Sequence, residues 1–91
     1  MPVTVRIPPM LREATGGQRA VQTEGATVAA VLENLDRQHP GFRDRVLVDG
    51  ELRRFVNIYV NDEDIRYLDQ LETRVQDGDT VSILPAVAGG A

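Results

Sequence analysis

The sequence predicts an α+β domain in which one main helix lies across a mixed sheet of four to five strands, with a flexible C-terminal tail. Three observations lead there. Short stretches of period-two alternation recur along the chain, one stripe of helical period interrupts them, and only small residues follow the last strand. With 91 residues, 42% of them hydrophobic and 26% charged, the chain suits a single core.

Val3, Val5 and Ile7 alternate with Thr4 and Arg6, which places the apolar side chains on one face of a first strand, and Pro8-Pro9 stops it. Thr15-Gly16-Gly17-Gln18 is a turn signal, and Arg19 to Thr23 reads as a returning strand, so an N-terminal hairpin is expected. From Thr27, a plausible N-cap, Val28, Val31, Leu32 and Leu35 fall at i, i+3, i+4 and i+7, the stripe of an amphipathic helix. Its end is expected at Gln38 or His39, because Pro40 disfavours helical geometry at His39 and Gly41 accepts a left-handed stop.

Val46-Leu47-Val48, Asp49-Gly50 and Leu52 read as a small hairpin around a tight turn. Phe55-Val56-Asn57-Ile58-Tyr59-Val60, rich in β-branched and aromatic residues, is the strongest strand and is expected to lie centrally. Asn61 to Asp64 reads as a polar turn, Ile65 as the start of a short edge segment, and Leu68 and Leu71 as anchors beneath the sheet. Asp77-Gly78-Asp79 then turns the chain into a last strand, Thr80 to Leu84, with Val81 and Ile83 alternating, and Pro85 closes it. One helix joining the second and third strands of such a sheet is the β-grasp arrangement, with one sheet face buried and the other wet. Residues 1–85 are read as the domain and 86–91 as the tail.

Composition excludes several functions. A net charge of -4 argues against binding a phosphate backbone, which takes clustered cations. All ten cationic side chains are Arg, so the chain offers no side-chain amine for Schiff-base chemistry or acylation. With no cysteine there is no disulfide, thiolate metal site or internal thiol nucleophile. The start, Met1 to Ile7, lacks the pattern of a secretory signal, and no run is long enough to span a bilayer, so a soluble cytoplasmic protein is expected, with neither nucleic acid nor membrane as partner.

Three segments carry a resemblance along nearly the whole chain: Arg54 to Asp64, Asp77-Gly78-Asp79, and Leu84-Pro85-Ala86-Val87-Ala88-Gly89-Gly90. They resemble the ubiquitin-like ThiS/MoaD sulfur carrier family, most closely its actinobacterial carriers of cysteine biosynthesis. Eight glycines make a Gly-Gly pair unsurprising by itself, but its place near the terminus, after Asp-Gly-Asp, a strand and a proline, is specific. Gly41 to Leu52 is the least similar stretch.

The resemblance implies a protein cosubstrate with no catalytic residue, bound metal or cofactor of its own. An adenylyltransferase similar to ubiquitin-activating enzymes uses ATP to activate the Gly90 carboxylate, which becomes a thiocarboxylate. A sulfur-accepting synthase then takes the sulfur. A pyridoxal-phosphate cysteine synthase fits best, and molybdopterin, thiamine and other sulfur-containing products stay open. Ala86, Val87, Ala88 and Gly89 form the tail that enters the partner's channel, since small residues pass where larger ones cannot, and Gly89 and Gly90 take backbone angles closed to other residues. The residues from Pro85 onward span roughly 20 Å when extended. Ala91 departs from the family pattern and is read either as a residue that a peptidase removes, for instance a zinc JAMM-type enzyme, or as a remnant of cloning.

Arg53, Arg54, Phe55 and Tyr59 are the candidate partner-docking residues, Phe55 and Tyr59 because they lie opposite the apolar face of Val56, Ile58 and Val60. Plainer readings stand beside each: Arg53 and Arg54 as solubilising charges, and the aromatic residues as covered by a neighbouring loop. His39 is read as complementing the helix C-terminus, and Asp62-Glu63-Asp64 as a solvated turn without the ligand spacing of a calcium loop. The rival function is a ubiquitin-like protein modifier or a non-catalytic interaction module.

Overall fold

The first and last strands of the chain lie side by side. The computed structural model describes residues 2–86, and its five-stranded sheet has the order β2-β1-β7-β5-β6. Strand β1 (Val3–Arg6) pairs antiparallel with β2 (Ala20–Thr23), Val5 opposite Val21. On its other side β1 runs parallel to β7 (Thr80–Pro85), Val5 opposite Val81. Strand β5 (Val56–Val60) pairs antiparallel with both β7 and β6 (Glu63–Asp64). This is the β-grasp fold. The middle strand is β7 and not β5, because the parallel pairing with β1 brings the end of the chain into the centre of the sheet.

Between β1 and β2 the chain winds into a 3-10 helix, Pro9–Thr15, where the sequence pointed only to a stop and a turn. Proline at the first helical position forfeits no bond, and Leu11 and Thr15 turn inward. Helix α1 spans Val28–Gln38, and the Thr27 hydroxyl oxygen accepts the Ala30 N–H at 3.1 Å as its N-cap. Its stripe of Val28, Val31, Leu32 and Leu35 is fully buried against Val5, Val56, Ile58, Val81 and Ile83 of the sheet in one core.

A second helix, α2 (Phe42–Val46), follows at once and was not expected from the sequence. The Asp36 carboxylate starts it by accepting the N–H groups of Gly41 and Arg43, each at 3.1 Å. Phe42 and Val46 are fully buried, so the five-residue helix enlarges the core instead of crossing open solvent. Val46, expected in the following hairpin, closes this helix instead. The hairpin itself, β3 (Leu47–Val48) and β4 (Glu51–Leu52), forms around Asp49 and Gly50, both at positive φ as a tight turn of this kind requires.

The stretch after β5 corrects three expectations. Glu63 and Asp64 form β6 and not part of the turn, which is confined to Asn61 and Asp62. Ile65 opens a 3-10 turn, Ile65–Tyr67, because the Asp64 carboxylate accepts the Arg66 N–H at 2.8 Å and bends the chain away from the edge. Leu68 is exposed, while Leu71 packs half-buried against the core as expected; buried Ile65 and Val75 fill the space beneath, Val75 held by its N–H to the Ala26 carbonyl. The turn at Asp77 to Asp79 forms as expected, with the Asp79 carboxylate accepting the Gln76 N–H at 2.9 Å.

Candidate functional site

Strand β7 ends at Pro85, and the tail follows it in sequence. Pro85 pairs with Val56, and one residue further the Ala86 N–H donates to the Phe55 carbonyl at 2.8 Å. Ala86 is thereby tied to the sheet. Val87, Ala88, Gly89 and Gly90, with Ala91 after them, lie outside the described residues.

Of the candidate docking residues, Phe55 contacts Ala86 directly and Tyr59 lies further back along β5, opposite Ser82. Arg53 is held inward: its Nε and Nη2 donate to the Asp44 carbonyl at 3.0 and 2.8 Å, and its backbone N–H donates to the Val46 carbonyl. That guanidinium pins β4 to α2, so it supports the tail's surroundings more than it greets a partner. Arg54 is exposed, and its side chain makes no ion pair among the described residues. Phe55, 47% exposed, stands beside Ala86 and lines a shallow hollow with Met10.

Alternation along β5 buries Val56, Ile58 and Val60 and leaves Asn57 and Tyr59 half-buried on the opposite face. The pairing places Tyr59 opposite Ser82 and Asn57 opposite Leu84, itself 44% exposed. Asn57 adds an unmet demand, because its Oδ1 is buried and has no hydrogen-bond partner among the described residues. Arg6 belongs to the same face, next to Ser82, and was not singled out from the sequence. Its outward direction follows from the alternation of Val3, Val5 and Ile7, but its neighbours follow from the β1–β7 register, which one sequence does not reveal.

The remaining polar candidates are occupied structurally. His39 ends α1 through its backbone N–H, which donates to the Leu35 carbonyl at 2.8 Å. Asp62 and Glu63 are exposed, and Asp64 caps the 3-10 turn. Among the described residues no group of three His, Cys, Asp or Glu is placed to hold a metal ion, and no helix is long and apolar enough to cross a membrane. What the arrangement offers chemically is a strand end with a partly apolar open face beside it.

Comparison with known proteins agrees with this geometry. A model described as the ThiS family matches residues 5–90. The chain is 52% identical over 93 aligned positions to the sulfur carrier protein CysO of Mycobacterium tuberculosis, covering 99% of this chain and 100% of that one. It superposes on the crystal structure of the Amycolatopsis orientalis BexX/CysO complex with a TM-score of 0.90 and 50% identity, over 97% of this chain and 99% of that one. It is also 38% identical over 77 residues to the small archaeal modifier protein 3 of Haloferax volcanii, covering 81% and 84% of the two chains. A β-grasp core matched along nearly its whole length, through β7 and as far as Gly90, shows that the chain belongs to the ThiS family of ubiquitin-like sulfur carriers.

Proposed function

We propose that this protein carries sulfur as a thiocarboxylate on Gly90 and delivers it in biosynthesis, cysteine first among the products. The observation that carries the reading is the full-length likeness to a sulfur carrier, in which the family match runs to Gly90. A carboxylate is a poor electrophile until one oxygen becomes a good leaving group. A partner adenylyltransferase supplies that group by joining the Gly90 carboxylate to AMP from ATP, with release of pyrophosphate. Sulfide attacks the acyl carbon, AMP departs, and the thiocarboxylate remains; where a persulfide attacks instead, the acyl disulfide so formed is cleaved by a thiol of the partner, which leaves the thiocarboxylate and a disulfide on the partner. A synthase then accepts the sulfur, a pyridoxal-phosphate enzyme acting on an activated serine in the cysteine case. No step falls to a side chain of this protein, whose domain, residues 1–85, presents the tail, residues 86–91.

For Gly90 to react, its peptide bond to Ala91 has to be cleaved by water, a task for a zinc peptidase of JAMM type, in the cytoplasm where the partners work. Phe55, Tyr59 and Arg54 are the docking residues in this reading, and Arg53 steadies them through Asp44. The BexX complex of the Amycolatopsis relative supports the docking of a second protein on this fold.

The test is intact mass. The chain ending at Gly90, incubated with its activating enzyme, ATP and sulfide, gains the mass of one sulfur-for-oxygen exchange, whereas the chain ending at Ala91 does not. Protein isolated from its own cells lacks Ala91. The likeness to an archaeal modifier favours a second reading, conjugation of Gly90 to lysines of other proteins. Products heavier than the chain by a whole second protein, with no sulfur gained, would decide for it.

A further inference from the structure

The open face of the sheet is unevenly charged. Register aligns Ala20, Arg6, Ser82 and Tyr59 in one row across four strands. With Arg19 at the head of β2 and Arg12 from the 3-10 helix, this row lines a groove of about 780 Å³ that reaches Leu84 and Pro85 at the foot of the tail. Three arginines thus face one carboxylate, Asp62, in a chain where fourteen acids outnumber ten arginines. Arg12 is aimed by its Nε, which donates to the Ile7 carbonyl at 3.1 Å. The side chains of Arg6 and Arg19 make no hydrogen bond or ion pair among the described residues.

We infer that this groove seats an extended acidic segment of the partner enzyme that takes up the tail, an inference that rests on the carrier reading above. Carboxylates are the complement of clustered guanidinium groups, which pair with them in a two-pronged geometry, and Ser82 and Tyr59 line the same groove with hydroxyl-bearing side chains. The net charge of -4 repels an acidic partner from the rest of the surface, so the groove fixes orientation as well as attraction. Its far end is the strand that launches the tail, so a segment lying in it sets where Gly90 points. Three cations on an acidic protein are too few to track a nucleic-acid backbone.

The experiment titrates the ¹⁵N-labelled full chain with a short peptide of alternating Glu and Ala, and in parallel with oligothymidylate and inorganic phosphate. Saturable shifts are expected at Arg6, Arg19, Tyr59 and Ser82 with the peptide. Affinity falls by about tenfold or more in Arg6→Glu/Arg19→Glu, recovers in Arg6→Lys/Arg19→Lys, and stays unchanged in Arg37→Glu on α1. In sulfur loading by the activating enzyme, the same charge reversal raises KM and leaves kcat in place. Shifts centred elsewhere, absent shifts, or tighter binding of oligothymidylate or phosphate at these residues would overturn the inference. Loading of the reversed variant at the wild-type KM would overturn it too and leave the carrier reading intact. A chain ending at Gly90 that binds the peptide here yet accepts no sulfur would sink the carrier reading and leave the acidic-segment site standing.

Discussion

Gly25 joins β2 to α1 at a point where the chain has no room for a side chain. A Cβ there would meet the Val31 backbone nitrogen at 2.7 Å and its Cγ2 at 2.9 Å. Val31 is fully buried in the middle of the helix's apolar stripe, so neither atom yields without moving α1 off the sheet. Gly25→Ala is therefore expected to cost about 1–3 kcal/mol by overpacking. For a domain of this size each kcal/mol lowers the melting midpoint by about 4–8 °C, a shift that thermal unfolding followed by circular dichroism resolves. An unchanged midpoint would show that residues 24–27 slide away from the helix at little cost. The open-face residues follow the opposite logic. Asn57 and Tyr59 stay half-buried between their strand neighbours, and the open face keeps room for side chains where Gly25 has none.

At the scale of elements, α2 hangs on one side chain. Asp36 near the end of α1 accepts two N–H groups from the next helix, and this contact, with burial of Phe42 and Val46, makes five helical residues stable where a helix so short would not form alone. Asp36→Ala is expected to cost about 1–2 kcal/mol, while Asp36→Asn, which keeps an Oδ1 acceptor, retains most of that stability. Equal losses in the two variants, measured by denaturant unfolding, would mean that charge and not acceptor geometry matters. The same contact explains why α2 was not legible in the sequence. Phe42 and Val46 repeat once at i, i+4, too few turns for a period, and the stabilising acceptor lies outside the segment. The 3-10 helix after β1 and the two-residue β6 escaped for similar reasons, since neither is long enough to show a pattern. By contrast β1, β5, β7 and α1 each carry several residues of clean alternation or stripe, and they stand where the periodicity put them. The candidate site divides in the same way. Phe55 and Tyr59 are readable by alternation, but Arg53 spends its guanidinium on Asp44 of an element the sequence hid, and the row from Arg6 to Tyr59 needs a register that only the fold supplies.

Across the whole molecule, the order of strands puts the last strand to be synthesised at the centre of the sheet, with β1 on one side and β5 on the other. Among the described residues every buried hydrophobic side chain lies between Val3 and Ile83, and two of them, Val81 and Ile83, belong to β7. Fold and tail are therefore separable at one place and inseparable a few residues earlier. A chain ending at Ala86 keeps all of the core and the last sheet bond, to Phe55, so its melting midpoint is expected within about 4 °C of the full chain, while it accepts no sulfur because Gly90 is gone. A chain ending before Thr80 leaves β1 and β5 without their shared partner and opens the core along its middle, so it is expected to show no cooperative thermal transition. A cooperative transition in that shorter chain would mean that the two outer strand pairs hold without β7. A large fall on removing only residues 87–91 would mean that the tail is part of the fold. The expected pair of results, stability kept in the first chain without the sulfur loading of a chain ending at Gly90 and folding lost in the second, would place the boundary between scaffold and reactive tail within a residue or two of Pro85, the last residue of β7.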